Sequence, residues 1–223
     1  MATTAELTEY LAGFMLEQRI ERIEEILRNR TRHITAVLEN IYHPHNASAI
    51  IRNCECFGIQ DLHVIESDYE YRPNTDVTRG SMKWIDVHTH TGGSETSLEC
   101  IEKLQAQGYK IASTCLTRES VTPEELPIDN KIALVFGTEE TGVSAEVLEK
   151  SDYLLKIPMY GFTQSLNVSV SAAICLRTLS ERLRNSDINW KLSDQELTDL
   201  RYRWYTNSVK NADLLLEHFH TNN

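Results

Sequence analysis

Apolar positions recur along this chain in two rhythms. Leu16, Ile20, Ile23 and Leu27 fall at helical spacing, which predicts an amphipathic helix over residues 15–29 whose other face mixes Arg with Glu. Ile34-Thr-Ala-Val-Leu-Glu-Asn-Ile41 is instead a β-branched apolar run and reads as a buried strand. Comparable strand segments return at 62–66, 82–88, 110–116, 131–136 and 153–157. Between them lie helical stretches at 47–57, 94–107, 144–150 and 166–179, a short helical turn at 122–126, and a polar, irregular segment at 67–82. Gly58 and Gly108 stand where helices close with a left-handed residue. Asn46 is placed to cap 47–57, and Ser165 or Asn167 to cap the helix that follows Pro158. Strands alternating with helices of this length predict an α/β fold, a mainly parallel sheet with helices on both faces. After Asn185 the rhythm changes, and Ser193-Asp-Gln-Glu196 is a capping box opening a polar helix expected to run to about His218.

Composition narrows the class. The 223 residues are 41% hydrophobic and 25% charged, an ordinary globular balance with room for one domain and appendages. No apolar run approaches the roughly 18 residues of a membrane span, and the first residues lack a signal-peptide pattern, so a cytoplasmic protein without a membrane partner is expected. The five cysteines are odd in number and scattered, and Cys54-Glu-Cys56 lacks metal or redox spacing, so all five read as reduced structural thiols. A net charge of −11 argues against nonspecific nucleic-acid binding by the whole surface. Two basic stretches stand out against it: Arg19, Arg22, Arg28, Arg30 and Arg32 in one, Arg177, Arg182 and Arg184 in the other. Each is either a solvated face with spaced ion pairs or a phosphate contact.

The chemistry-bearing stretches are few. Residues 157–176 form a strand end, a polar loop and a helix start, an ordinary corner of such folds and also a common ligand site. Gly137-Thr-Glu-Glu-Thr-Gly142 follows a buried strand directly, at the edge where open α/β sheets bind ligands. No P-loop, dinucleotide fingerprint or nucleophile elbow is present. His43 with His45 and His88 with His90 lack an accompanying Cys or carboxylate pattern, so no metal is expected. Arg52 lies in a helical stretch beside Ala49, Ile50 and Ile51; it either pairs with a structural acid or points into a site for an oxyanion or phosphate.

Three of these segments, 46–52, 134–142 and 157–170, resemble in order and spacing the three motifs of the SpoU/TrmH methyltransferases of the SPOUT superfamily. The resemblance covers about residues 16–184, and Arg19-Ile-Glu-Arg-Ile-Glu-Glu-Ile-Leu27 with His43-Pro-His-Asn46 is similar to the subgroup that acts on tRNA. It implies a deep C-terminal trefoil knot, which pattern reasoning alone would exclude. It also implies a helical arm, placed at 1–32, a methyltransferase domain at 33–184, and a homodimer, while the change of rhythm after Asn185 makes 185–223 a separate helical extension. The implied reaction is transfer of a methyl group from S-adenosylmethionine to a ribose 2′-hydroxyl, that of the D-loop guanosine at position eighteen of tRNA. A different tRNA position, ribosomal RNA, or an RNA-binding protein without turnover are the alternatives. The resemblance assigns the methyl donor to Thr114, Gly137, Ile157, Met159, Ser165, Leu166 and Asn167, and catalysis to Arg52, Asn46, Glu139, Ser165 and Asn167. The arginines of both basic stretches would meet the RNA backbone.

Overall fold

The computed structural model describes residues 2–41, 43–67, 80–116 and 119–222, and they form two compact units, Thr31–Trp190 and a helical unit from Met1–Arg30 with Lys191–Asn223. Most of the polar segment expected at 67–82 lies outside the described residues.

The larger unit is an α/β domain. Its strands are β1 (Ile34–Glu39), β2 (Asp61–Glu66), β3 (Asp86–Thr91), β4 (Tyr109–Thr114), β5 (Lys131–Phe136) and β6 (Tyr153–Leu155), all parallel in the order β3-β2-β1-β5-β4-β6. Helices cover both faces, as expected of an all-parallel sheet. Ile34, Ala36 and Leu38 of β1 turn toward one core with α3 (Pro44–Cys56) and α6 (Val168–Arg184). Val37, between them, turns toward a second core with α4 (Thr96–Ala106) and α5 (Ala145–Lys150). β1 and β5 lie centrally and bury nearly every residue, which is why their sequences read as unbroken apolar runs.

Several boundaries differ from the sequence reading. Helix α3 begins at Pro44 rather than after Asn46, because proline at the first helical position loses no hydrogen bond there. Asn46 is therefore inside the first turn and not a cap. Segment 82–88 splits into a 3₁₀ turn, Ser81–Lys83, and a later strand, β3. Gly58 (φ 76°) and Gly108 (φ 87°) occupy the left-handed positions foreseen for them.

The loop 115–130 crosses other elements before reaching β5. Its Val121 N–H donates to Leu154 O at 2.8 Å beside β6, and Lys156 N–H donates back to Val121 O at 2.9 Å. Further along, Arg182 of α6 donates to the carbonyls of Pro123 (2.6 Å) and Leu126 (2.8 Å). Helix α6, which follows β6, is thus covered by a loop that precedes β6.

In the helical unit, α1 (Thr4–Ala12), which the sequence reading missed, opens with a Thr3–Glu6 capping box. It joins α2 (Glu17–Leu27), α7 (Asp194–Ser208) and α8 (Ala212–Asn222). The arm and the C-terminal extension, expected as separate parts, share one core that includes Leu11, Ile23, Leu27, Leu200 and Trp204. The single C-terminal helix expected to reach His218 is broken near Asn211, which adopts φ 58°. Arg201 grips Glu24 with two hydrogen bonds of 2.6 and 2.9 Å. Among the described residues no helix is long and apolar enough to cross a membrane.

At the start of the sheet, Arg32 pairs with both Asp61 and Asp86, and His88 contacts Asp61 at 2.9 Å. Burial opposes ionisation of Asp61, but His88 and Arg32 outweigh it and hold its carboxyl below the ordinary aspartate range. Its contribution is therefore present above about pH 4 and is lost as pH falls through the lowered value. Asp61→Ala should cost roughly 3–5 kcal/mol by leaving Arg32 half-buried without its main partner. Urea unfolding of both proteins at pH 7 and pH 3 checks this: the gap between them should narrow at the lower pH.

Candidate functional site

The carboxyl ends of β4, β5 and β6 border a cavity of about 410 Å³. Three backbone segments form it: the end of β4 at Thr114, the loop 137–143 after β5, and the segment 155–166 leading into α6. Its walls include Phe136, Leu155, Ile157, Met159 and Leu166, and its rim is polar.

The loop 137–143 holds its own shape. Thr138 and Gly142 exchange backbone hydrogen bonds of 3.1 Å, the Thr138 hydroxyl accepts from Thr141 N–H at 3.0 Å, and Gly142 takes φ 74°. Gly137 is indispensable to this return. A Cβ there would sit 2.1 Å from the carbonyl carbon and oxygen of Gly142 and 2.2 Å from Val143 N. The close approach the glycine permits is thus to the loop's own backbone. A further anchor escaped the sequence reading: buried Glu39, at the end of β1, accepts from Ser144 N–H at 2.9 Å and its hydroxyl at 2.7 Å. Ser144 caps α5, so Glu39 fixes where the loop ends. The one signal for it was an acid closing the apolar run of β1.

A polar chain links three segments at the mouth. The Asn46 amide donates to the Glu139 carboxylate, and the Asn167 amide donates to Asn46 Oδ1 at 3.0 Å. Asn167 also caps α6, its Oδ1 accepting from Ser169 N–H at 2.9 Å and Oγ at 2.6 Å. Its capping role, left open between Ser165 and Asn167, falls to Asn167. Asn53 donates to Ser169 O at 3.0 Å and ties α3 to α6 about two helical turns beyond Asn46.

Of the expected donor-site residues, Thr114, Gly137, Ile157, Met159, Ser165 and Leu166 line the cavity, as does Glu139. Asn167 stands beside it as the cap. Arg52 is exposed on α3 and makes no ion pair with a described residue, so of the two readings open for it, pairing with a structural acid is not met among those residues. Burial pushes the thiol of Cys175, at the cavity floor, up to about 12, consistent with a structural thiol. Several large apolar side chains here are exposed: Leu116, which lines the cavity, Tyr160 and Phe162 in the segment 155–166, and Val170 at the start of α6.

The basic stretches divide. Arg30 is buried at 1% exposure with its guanidinium over the Trp204 ring, and Arg32 is held by two aspartates. Arg182 serves the 123–126 carbonyls, while Arg184 donates to Phe57 O at 2.9 Å and lies over Trp190. All four, expected to meet RNA, have partners within the fold, and only Arg30 is fully buried. Arg19, Arg22, Arg28 and Arg177 are exposed. Arg22 and Arg177 reach only exposed neighbours, Glu25 and Glu181, in pairs that contribute little.

Comparison with known proteins adds three findings. The sequence model of the SpoU rRNA methylase family matches residues 33–177. A tRNA (guanosine(18)-2′-O)-methyltransferase of Borreliella burgdorferi is 44% identical over 205 residues, covering 92% of each chain. The crystal structure of the Aquifex aeolicus TrmH/SpoU tRNA modifying enzyme superposes with a TM-score of 0.77 at 30% identity, over 87% of this chain and 98% of that one. The fold is shared more distantly with the SpoU methyltransferase AviRb of Streptomyces viridochromogenes, solved with the cofactor AdoMet (TM-score 0.59, 22% identity, 73% of this chain and 62% of that one).

Gly137→Ala should destabilise the protein by about 1–3 kcal/mol, because the inserted methyl meets backbone that has no room to yield. Chemical denaturation measures it, and wild-type stability would mean that the loop can move aside freely.

Proposed function

The chain belongs to the SpoU rRNA methylase family, and from that premise we propose that it is a tRNA (guanosine(18)-2′-O)-methyltransferase acting as a cytoplasmic homodimer. The observation that carries this reading is the Glu139–Asn46–Asn167 chain at the mouth of a cavity built from three strand-end loops. The donor set suits S-adenosylmethionine. Ile157, Met159 and Leu166 offer apolar walls to a flat base, the loop backbones offer hydrogen-bonding edges, and the volume of about 410 Å³ falls within the usual small-molecule range. When bound, that group supplies an electrophilic methyl on a sulfonium.

A ribose hydroxyl is a weak nucleophile, so this chain's residues have to align it, relieve it of its proton and stabilise the charge that develops. Arginine keeps its proton in proteins and makes a poor base. Arg52, exposed and outside any ion pair with a described residue, instead suits binding a phosphate and stabilising the developing alkoxide with its forked donors. Asn46, fixed between Glu139 and Asn167, holds a defined amide orientation for the ribose. Ser165 orients the donor side of the site.

The tRNA backbone is met by Arg19, Arg22, Arg28 and Arg177. Dimerisation is supported by Tyr160 and Phe162, large side chains fully exposed beside the cavity. The covering of α6 by the earlier loop supports a knotted chain, as the family implies.

Methyl transfer from labelled donor to total RNA, followed by nucleoside mapping, should yield 2′-O-methylguanosine in tRNA. Label in ribosomal RNA alone, or none, would reject the assignment. Arg52→Lys should lower kcat by roughly 10²–10³-fold if forked geometry matters, and near-normal turnover would remove that role. Substituting Arg22 and Arg28 by Ala should weaken tRNA binding and lower its salt slope by about one per lost phosphate contact, with donor affinity unchanged.

A further inference from the structure

A second cavity, of about 460 Å³, is lined by residues of β2 and β3, the end of α4, and Tyr109 and Lys131 at the starts of β4 and β5. Its inner wall gathers residues from three elements. His63 of β2 and His88 of β3 are register partners, and His90 lies two residues further along the same face, so all three imidazoles turn toward α4. From α4, Lys103 lines the cavity, and buried Cys100 lies behind it within reach of His63 and His90.

His63 Nδ1 and His90 Nε2 lie 3.0 Å apart, and one ligand atom each of His63, His90 and Cys100 fall within 4.8 Å of one another. A tetrahedral ion with bonds of about 2.0–2.3 Å places its ligand atoms roughly 3.5 Å apart, so small side-chain rotations close this triad onto one centre. From this geometry we infer that His63, His90 and Cys100 form a binding site for a borderline-soft divalent cation, zinc foremost, with a fourth position open to the cavity. Two imidazoles and a thiolate favour such an ion over magnesium or calcium, which take oxygen ligands.

The surroundings suit this. On binding, the metal–sulfur bond forms as the thiol proton leaves to solvent. His88, stacked on His63 at 4.7 Å between centroids and bonded to Asp61, steadies the ring from behind. His90 is half-buried, which leaves an entry path. The two His-x-His pairs read from the sequence lacked a cysteine; the fold supplies one from a different element. Such an ion would tie the edge strand β3 to α4, away from the methyl-transfer cavity.

The test is cobalt(II) titration of the metal-free full-length protein. One equivalent should produce visible bands of tetrahedral intensity and a thiolate-to-cobalt charge-transfer band, both displaced by zinc. Cys100→Ser should abolish the charge-transfer band, and His90→Gln should weaken affinity by more than the roughly 10–100-fold typical of losing an outer partner. Cys56→Ser, at an exposed thiol, should leave the spectrum unchanged. If Cys100→Ser fails to fold, His90→Gln decides the matter, since its side chain is only half-buried. A spectrum without thiolate character, one that survives His90→Gln at wild-type affinity, or one lost in Cys56→Ser would overturn the site.

Discussion

A parallel sheet buried on both faces constrains everything else in the larger unit. Its strands satisfy their backbone groups with one another, and helices seal its faces, so polar chemistry is confined to the strand ends and the lateral edge. The cavity sits where the ends of β4, β5 and β6 diverge, and its walls are loops whose shapes are set by the strands that launch them. Gly137 shows the dependence most directly. It lets the loop fold back at a distance no side chain would allow, and Glu39 then holds the far end through Ser144.

The same constraint governs how the site's polar residues are held. Asn46, Glu139 and Asn167 lie on three segments far apart in sequence, and each amide is oriented by its neighbour. Asn167 has a double duty, capping α6 while bonding Asn46. A helix start and a reactive surface are therefore positioned by one side chain. Arg52 is exposed and makes no ion pair with a described residue. The chemistry thus combines a rigid mouth with one unpaired cation among the described site residues.

Charge distribution carries a related lesson. On an acidic chain, arginine clusters suggest nucleic-acid contact, yet Arg30, Arg32, Arg182 and Arg184 are engaged by Trp204, aspartates and backbone carbonyls. Arginine serves such interior roles well because its planar group combines several donors with a weakly hydrated charge. The remainder of the two stretches, Arg19, Arg22, Arg28 and Arg177, is exposed.

By itself the sequence determined the alternation of strands and helices, the glycine helix ends, the Ser193–Glu196 capping box and the three segments from which the cavity is built. Those features rest on local periodicity and on short motifs, which are contiguous in the chain. The tertiary structure alone decided which arginines are interior, that Asn46 bonds Glu139 rather than capping its helix, that Glu39 anchors a loop more than a hundred positions away, and that Cys100 meets His63 and His90. Each of these depends on contacts between distant elements, and no periodicity within a single segment encodes which distant side chain will arrive beside it.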